Sequence, residues 1–165
     1  MSSEVAVYTA PAGVSLVDIR MDAERFPRLK SMTAQSATAR LQQVVAMAYA
    51  YTGRPAEERR LEMVATALYG EILEDKKGLG LANITIEEIA HAVKDAILSA
   101  DGDVYINISF LYRAICNYAE GEGHEAQESA YRRKVALRQK QLEGSSAGAM
   151  LTAYTGRLLE NTKTP

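Results

Sequence analysis

Leu41, Val44, Val45 and Ala48 fall at i, i+3, i+4 and i+7, and later stretches of the chain repeat that spacing. A period near 3.6 residues lines one face of an α-helix, whereas a half-buried strand needs a period of two. The second stripe is Leu61, Val64, Ala65, Leu68 and Ile72. The third is Ile86, Ile89, Ala90, Val93 and Ile97, and the fourth is Leu111, Ala114, Ile115 and Tyr118. Faces of this kind are stable only when buried against one another. The expected fold is therefore all-α, a single-domain helical bundle of four to six helices. At 165 residues the chain is long enough to build such a core without disulfides or metals.

Local signals place the helix ends. Gly53 closes the first stripe, and Pro55 is expected in the first turn of the second helix. Thr85 precedes Ile86-Glu87-Glu88, the pattern of a capping box between Thr85 and Glu88. Ser109 is the expected cap of the fourth helix, and Ser15 caps a short helix within "SLVDIRMDAERF". Val104, Ile106 and Ile108 alternate, so "DVYINI" leaves room for one very short extended pair with "EVAVY". Three segments follow: 1–36, irregular with a short helix; 37–119, the helical core; and 120–165, a projecting basic helix, a flexible joint at "GSSAG" and a short terminal helix. "AMAYAYTGR" at Ala46 and "AMLTAYTGR" at Ala149 agree at seven of nine positions. Two copies do not make a solenoid, and an Ala-rich helical composition accounts for the match.

The residue inventory weighs against several chemistries. Cys116, the single cysteine, lies on a helical pattern and reads as a small core residue rather than a nucleophile. Glu88 and His91 match E-x-x-H, but a dinuclear carboxylate site needs a second such motif, and the other histidine, His124, is preceded three positions earlier by Gly121. His91 with its neighbours Glu87 and Asp95 reads as a solvated helix face. "EGEGHE" reads as an acidic helix entry. "GLGLAN" lacks the strand and spacing of a phosphate loop. No catalytic residue, metal or cofactor is expected. The longest apolar run, Val44–Tyr51, is too short to span a bilayer, and the N-terminus shows no secretory pattern, so a cytoplasmic location without membrane contact is expected.

The most unusual stretch is "SAYRRKVALRQKQLE". Arg132, Arg133, Lys134, Arg138 and Lys140 occur there with no acidic residue between them, while the remaining 14 Lys and Arg stand against 21 Asp and Glu. On a helical wheel Tyr131, Val135 and Leu142 share a narrow arc, a thin apolar seam suited to a protein partner or to self-association. The five cations are the candidate nucleic-acid contacts. Glutamates at its start and cations toward its end also complement the helix dipole, and Glu128 to Arg132 is a favourable i, i+4 pair.

From Ile84 onward "ITIEEIAHAVKDAILSADGDVYINISFLYRAICNYAEGEGHE" resembles uncharacterised helical proteins of prophages and conjugative elements of gut bacteria. The shared order is Glu88-Ile89 at a helix start, Tyr105 to Ile108 as a link, then Leu111-Tyr112 and Tyr118, within Leu41 to His124. The resemblance implies a mobile-element setting and no catalytic residues. The expected function is that of a non-enzymatic helical interaction protein, an adaptor or assembly factor. The alternatives are a DNA-replication accessory that contacts nucleic acid weakly through the basic helix, and a metal-dependent helical-bundle enzyme.

Overall fold

The computed structural model describes residues 5–121, 124 and 128–145. It divides into two compact units, 1–127 and 128–165. The all-α expectation holds: the described residues contain helices and no strand.

In the first unit Ser15 caps α1, Leu16–Met21, its hydroxyl accepting from the Asp18 amide at 3.2 Å. A short 3-10 turn at Leu29–Ser31 leads to α2, Ala34–Thr52, where the Thr33 hydroxyl accepts from Ser36 N. Gly53 ends α2 with φ 65, the left-handed conformation that a side chain would strain. The next helix, α3, is Glu58–Glu74. Pro55 lies before the extended N-cap Glu57 rather than in the first turn, since residues 54–57 stay outside the helix. Asp75 follows α3 with φ 42, and its carboxylate accepts from the backbone amides of Leu79, Gly80 and Leu81. The "GLGLAN" loop is thus organised around an anion of its own chain.

Helix α4, Ile86–Leu98, begins with the complete Thr85/Glu88 capping box. Helix α5, Ile108–Glu120, is capped by Asn107, whose side chain accepts from Phe110 N at 2.8 Å. Ser109, the residue expected there, is inside the first turn because the helix begins two residues earlier. The extended pair does not form among the described residues. Within "DVYINI" residues 103–107 are irregular and Ile108 already begins α5; the Ile106 carbonyl accepts from the Tyr49 hydroxyl, and the Tyr8 amide donates to the Gln43 carbonyl of α2. The described residues hold a single isolated bridge, Arg28 with Thr85.

Helices α2 to α5 pack as a ring: α2 against α3 and α4, and α5 against α3 and α4, with α1 against α4. Every stripe residue read from the sequence is buried except Tyr118, which is half-buried. The N-terminal 36 residues, expected to be irregular, add Ile19, Arg20, Phe26 and Leu29 to the interior. They pack because the turn at Leu29 donates its amide to Ile84 O, at the entrance to α4.

The second unit is described as one helix, α6, over residues 128–145. Residues 125–127, "GSSAG" beyond Ser145, the expected terminal helix and the second "TAYTGR" copy lie outside the described residues.

Candidate functional site

The first turn of α4 places two adjacent glutamates inside the protein, and each meets an arginine from a different element. Glu88 is fully buried and Arg20, from α1, is 7% exposed. The Arg20 Nε donates to Glu88 Oε1 at 2.7 Å, and the same oxygen accepts from the Tyr118 hydroxyl of α5 at 3.0 Å. Glu88 Oε2 accepts from the Thr85 amide and hydroxyl. One carboxylate therefore caps its own helix and ties α1, α4 and α5 together. Burial and the Glu88 charge push the Tyr118 phenol upward from its ordinary value, so it remains a protonated donor. Arg20 Nη2 lies 3.1 Å from His124 Nδ1, and the His124 ring meets Tyr118 edge-on with centroids 5.0 Å apart.

Burial, with the Arg20 guanidinium beside it, holds His124 below its usual range, while Glu88 pulls the other way. The folded state thus takes up this proton less readily than the unfolded chain. The stability that follows is complete above the unfolded value and is lost as pH falls through that value toward the lower folded one. The expected result is a lower urea midpoint at about pH 5.5 than at about pH 7.5. In His124→Asn that difference shrinks; an undiminished difference would assign the effect to other groups.

Glu87 is 4% exposed and pairs through Oε1 with Arg40 of α2. Its Oε2 is buried without a hydrogen-bond partner among the described residues. The solvated face expected around His91 is therefore only half right. His91 is exposed, but Glu87 turns inward because α2 brings a guanidinium to it. Near this pair the Tyr8 phenol is pushed up to about 12 by burial first and by the Glu87 charge second, with Arg40 opposing. Tyr8, Glu87 and the apolar residues Val7, Pro11, Met47 and Ala90 line a cleft of about 520 Å³ between the N-terminal segment, α2 and α4.

A second, more polar groove of about 540 Å³ runs between α4 and α5, where His91, Asp95, Arg113, Asn117 and His124 come together. The two histidines, distant in sequence, both meet the Tyr118 ring edge-on, with centroids 6.0 Å away for His91 and 5.0 Å for His124. The E-x-x-H pair does not present two ligands on one face, since the Glu88 carboxylate is engaged by Thr85, Arg20 and Tyr118. No group of three or more His, Cys, Asp or Glu is placed to hold a metal ion among the described residues. Cys116 is buried in the core.

The basic stretch forms α6. The Arg132 Nε lies 3.4 Å from Glu128 Oε1, the i, i+4 pair read from the sequence. Tyr131 is half-buried, while every residue from Arg132 to Ser145 is exposed, including all five cations. Val135 is 38% exposed and Leu142 65%, with Leu137, on the opposite side of the wheel, at 61%. None of the described helices is long and apolar enough to cross a membrane. Compared with protein-family models, curated proteins and solved structures, the chain matches none, so the functional reading rests on this geometry.

Proposed function

We propose that the protein is a non-enzymatic helical interaction protein, an adaptor or assembly factor of a phage or mobile element, acting in the cytoplasm. Helix α6 is its contact surface, and the occupant is an acidic amphipathic helix of a partner protein. The observation that supports this reading is the exposure of Val135 and Leu142 on one arc of a helix carrying five exposed cations. An isolated helix of this length is marginal in water, and packing of its apolar arc supplies what propensity does not. Opposite charge on the partner adds orientation and association rate. Self-pairing of α6 would bring two sets of five cations together. A DNA duplex would find at most about five phosphates neutralised, a salt slope no steeper than about −4.5.

The test uses the full chain with two probes: a fluorescent amphipathic peptide with leucines on one face and glutamates on the other, and a mixed-sequence DNA duplex. In 0.15 M salt the peptide is expected to bind. Changing Arg132, Arg133 and Lys134 to Glu, or Val135 and Leu142 to Ser, should each weaken it by about tenfold or more, about 1.4 kcal/mol. Tight duplex binding abolished only by the charge-reversed set would establish the nucleic-acid reading instead. A sedimentation shift lost only in the Ser set, without peptide binding, would make the partner a second copy.

A further inference from the structure

We propose that the cleft between the N-terminal segment, α2 and α4 is a binding site for an uncharged, mainly apolar small molecule that carries one hydroxyl or amide donor. Three observations converge on it. The cleft measures about 520 Å³, within the range of about 300–1,000 Å³ typical of small-molecule sites. Its walls are chiefly apolar: Val7, Pro11 and Val14 from the N-terminal segment, Met47 from α2 and Ala90 from α4. Glu87 also lines it, and that side chain is nine-tenths buried with Oε2 lacking a hydrogen-bond partner among the described residues.

A buried carboxylate oxygen left without a donor is unfavourable, and native proteins seldom tolerate one. A donor on a bound molecule, met by a small rotation of the Glu87 carboxylate toward the cleft, would complete the set that Arg40 begins at Oε1. The surroundings select the charge of that donor. Arg40 already neutralises Glu87, and Lys94 stands in the lining with its Nζ 5.7 Å from the Tyr51 ring centre. An ammonium ligand would meet the cationic Lys94 in the lining and a Glu87 whose charge Arg40 already balances. A carboxylate ligand would meet Glu87 and offer no donor. Tyr8, its phenol shifted upward, contributes no charge at neutral pH. An alcohol, phenol or amide satisfies Oε2 without burying a new charge, and its hydrocarbon part covers the apolar walls.

The site also has a simple means of entry. Its outer wall is the segment Val7–Val14, which has no helix or strand and is held to α2 through the Tyr8 amide. Tyr51 and Ala50 of α2 are exposed and also line the cleft. A side chain enlarged at Ala50 would fill ligand space without entering the core.

The experiment titrates the full-length protein with four compounds of nearly equal size: phenylbutanol, butylbenzene, phenylbutylamine and phenylbutyrate. Binding is read by calorimetry and by amide NMR shifts. Phenylbutanol is expected to bind, shifting the amides of Val7, Met47 and Ala90, with butylbenzene weaker by about tenfold and both charged compounds weaker still. Ala50→Phe is expected to abolish binding while leaving the circular dichroism spectrum unchanged. In Glu87→Gln the new amide can turn its own donor inward, so the preference for alcohol over hydrocarbon should collapse. Should that variant fail to fold, the four-compound ranking and Ala50→Phe still decide. Equal affinity for alcohol and hydrocarbon, preference for either ion, or no shift at the cleft with any of the four overturns the proposal. None of these readouts involves α6, so the cleft can fail while the proposed contact helix stands.

Discussion

Glu88→Ala is expected to cost about 3–5 kcal/mol of folding stability, the range seen when one partner of a buried ion pair is removed. The carboxylate is fully buried, and its loss takes the Glu88 charge away from Arg20, which is only 7% exposed. It also takes the acceptor from Tyr118 and the reciprocal half of the cap from Thr85. Domains of this size have about 5–15 kcal/mol to lose, so the variant should lie close to unfolding. Urea denaturation followed by circular dichroism reads the effect as a lower midpoint at an unchanged slope. Removing both charges separates the pair from its surroundings. Arg20→Met with Glu88→Met leaves no isolated buried ion and should recover a large part of the loss. Recovery should be incomplete, because the hydrogen bonds that Tyr118 and Thr85 donate to Glu88 are not restored. A cost below about 1 kcal/mol for the single substitution would place Glu88 in the class of exposed pairs and refute the buried network.

What was legible in the sequence was what is decided within a few residues. The stripes of α2 to α5 could be read because helix periodicity is local, and the Thr85/Glu88 box because its two members are three residues apart. The Ser15 cap and the Gly53 stop are equally local. The cap of α5 was misplaced by two positions because Asn107 and Ser109 are both good caps, and only the start of the helix at Ile108 separates them. The polar interior was not legible. Arg20 and Glu88 are 68 residues apart, and Arg40 and Glu87 are 47 apart. Each arginine on its own reads as a surface cation. The signal available was two consecutive glutamates at a helix start whose following turns are apolar on a wide face. In α4 both turn inward, and each meets an arginine from another element. The cleft was invisible for the same reason, since its outer wall is an irregular segment with no periodicity to read.

Leu68→Ala is expected to cost about 2–5 kcal/mol, and Leu142→Ala less than about 0.5 kcal/mol, although the chemical change is the same. Leu68 lies on the inner stripe of α3 and has no exposed surface, so truncation removes buried carbon and leaves a cavity the ring of helices can only partly close. Leu142 is 65% exposed on α6, where water already reaches the side chain and nothing need collapse. The two leucines therefore separate what the fold requires from what a contact would use. With the acidic amphipathic peptide as probe, the ranking should invert. Leu68→Ala should bind it as the parent does wherever the protein remains folded, and Leu142→Ala should bind it more weakly at unchanged urea midpoint. If Leu142→Ala instead lowers the midpoint by as much as Leu68→Ala, the seam is part of the protein's own core. Helix α6 would then lose its claim to be a contact surface, because a residue needed for folding is not free to meet a partner.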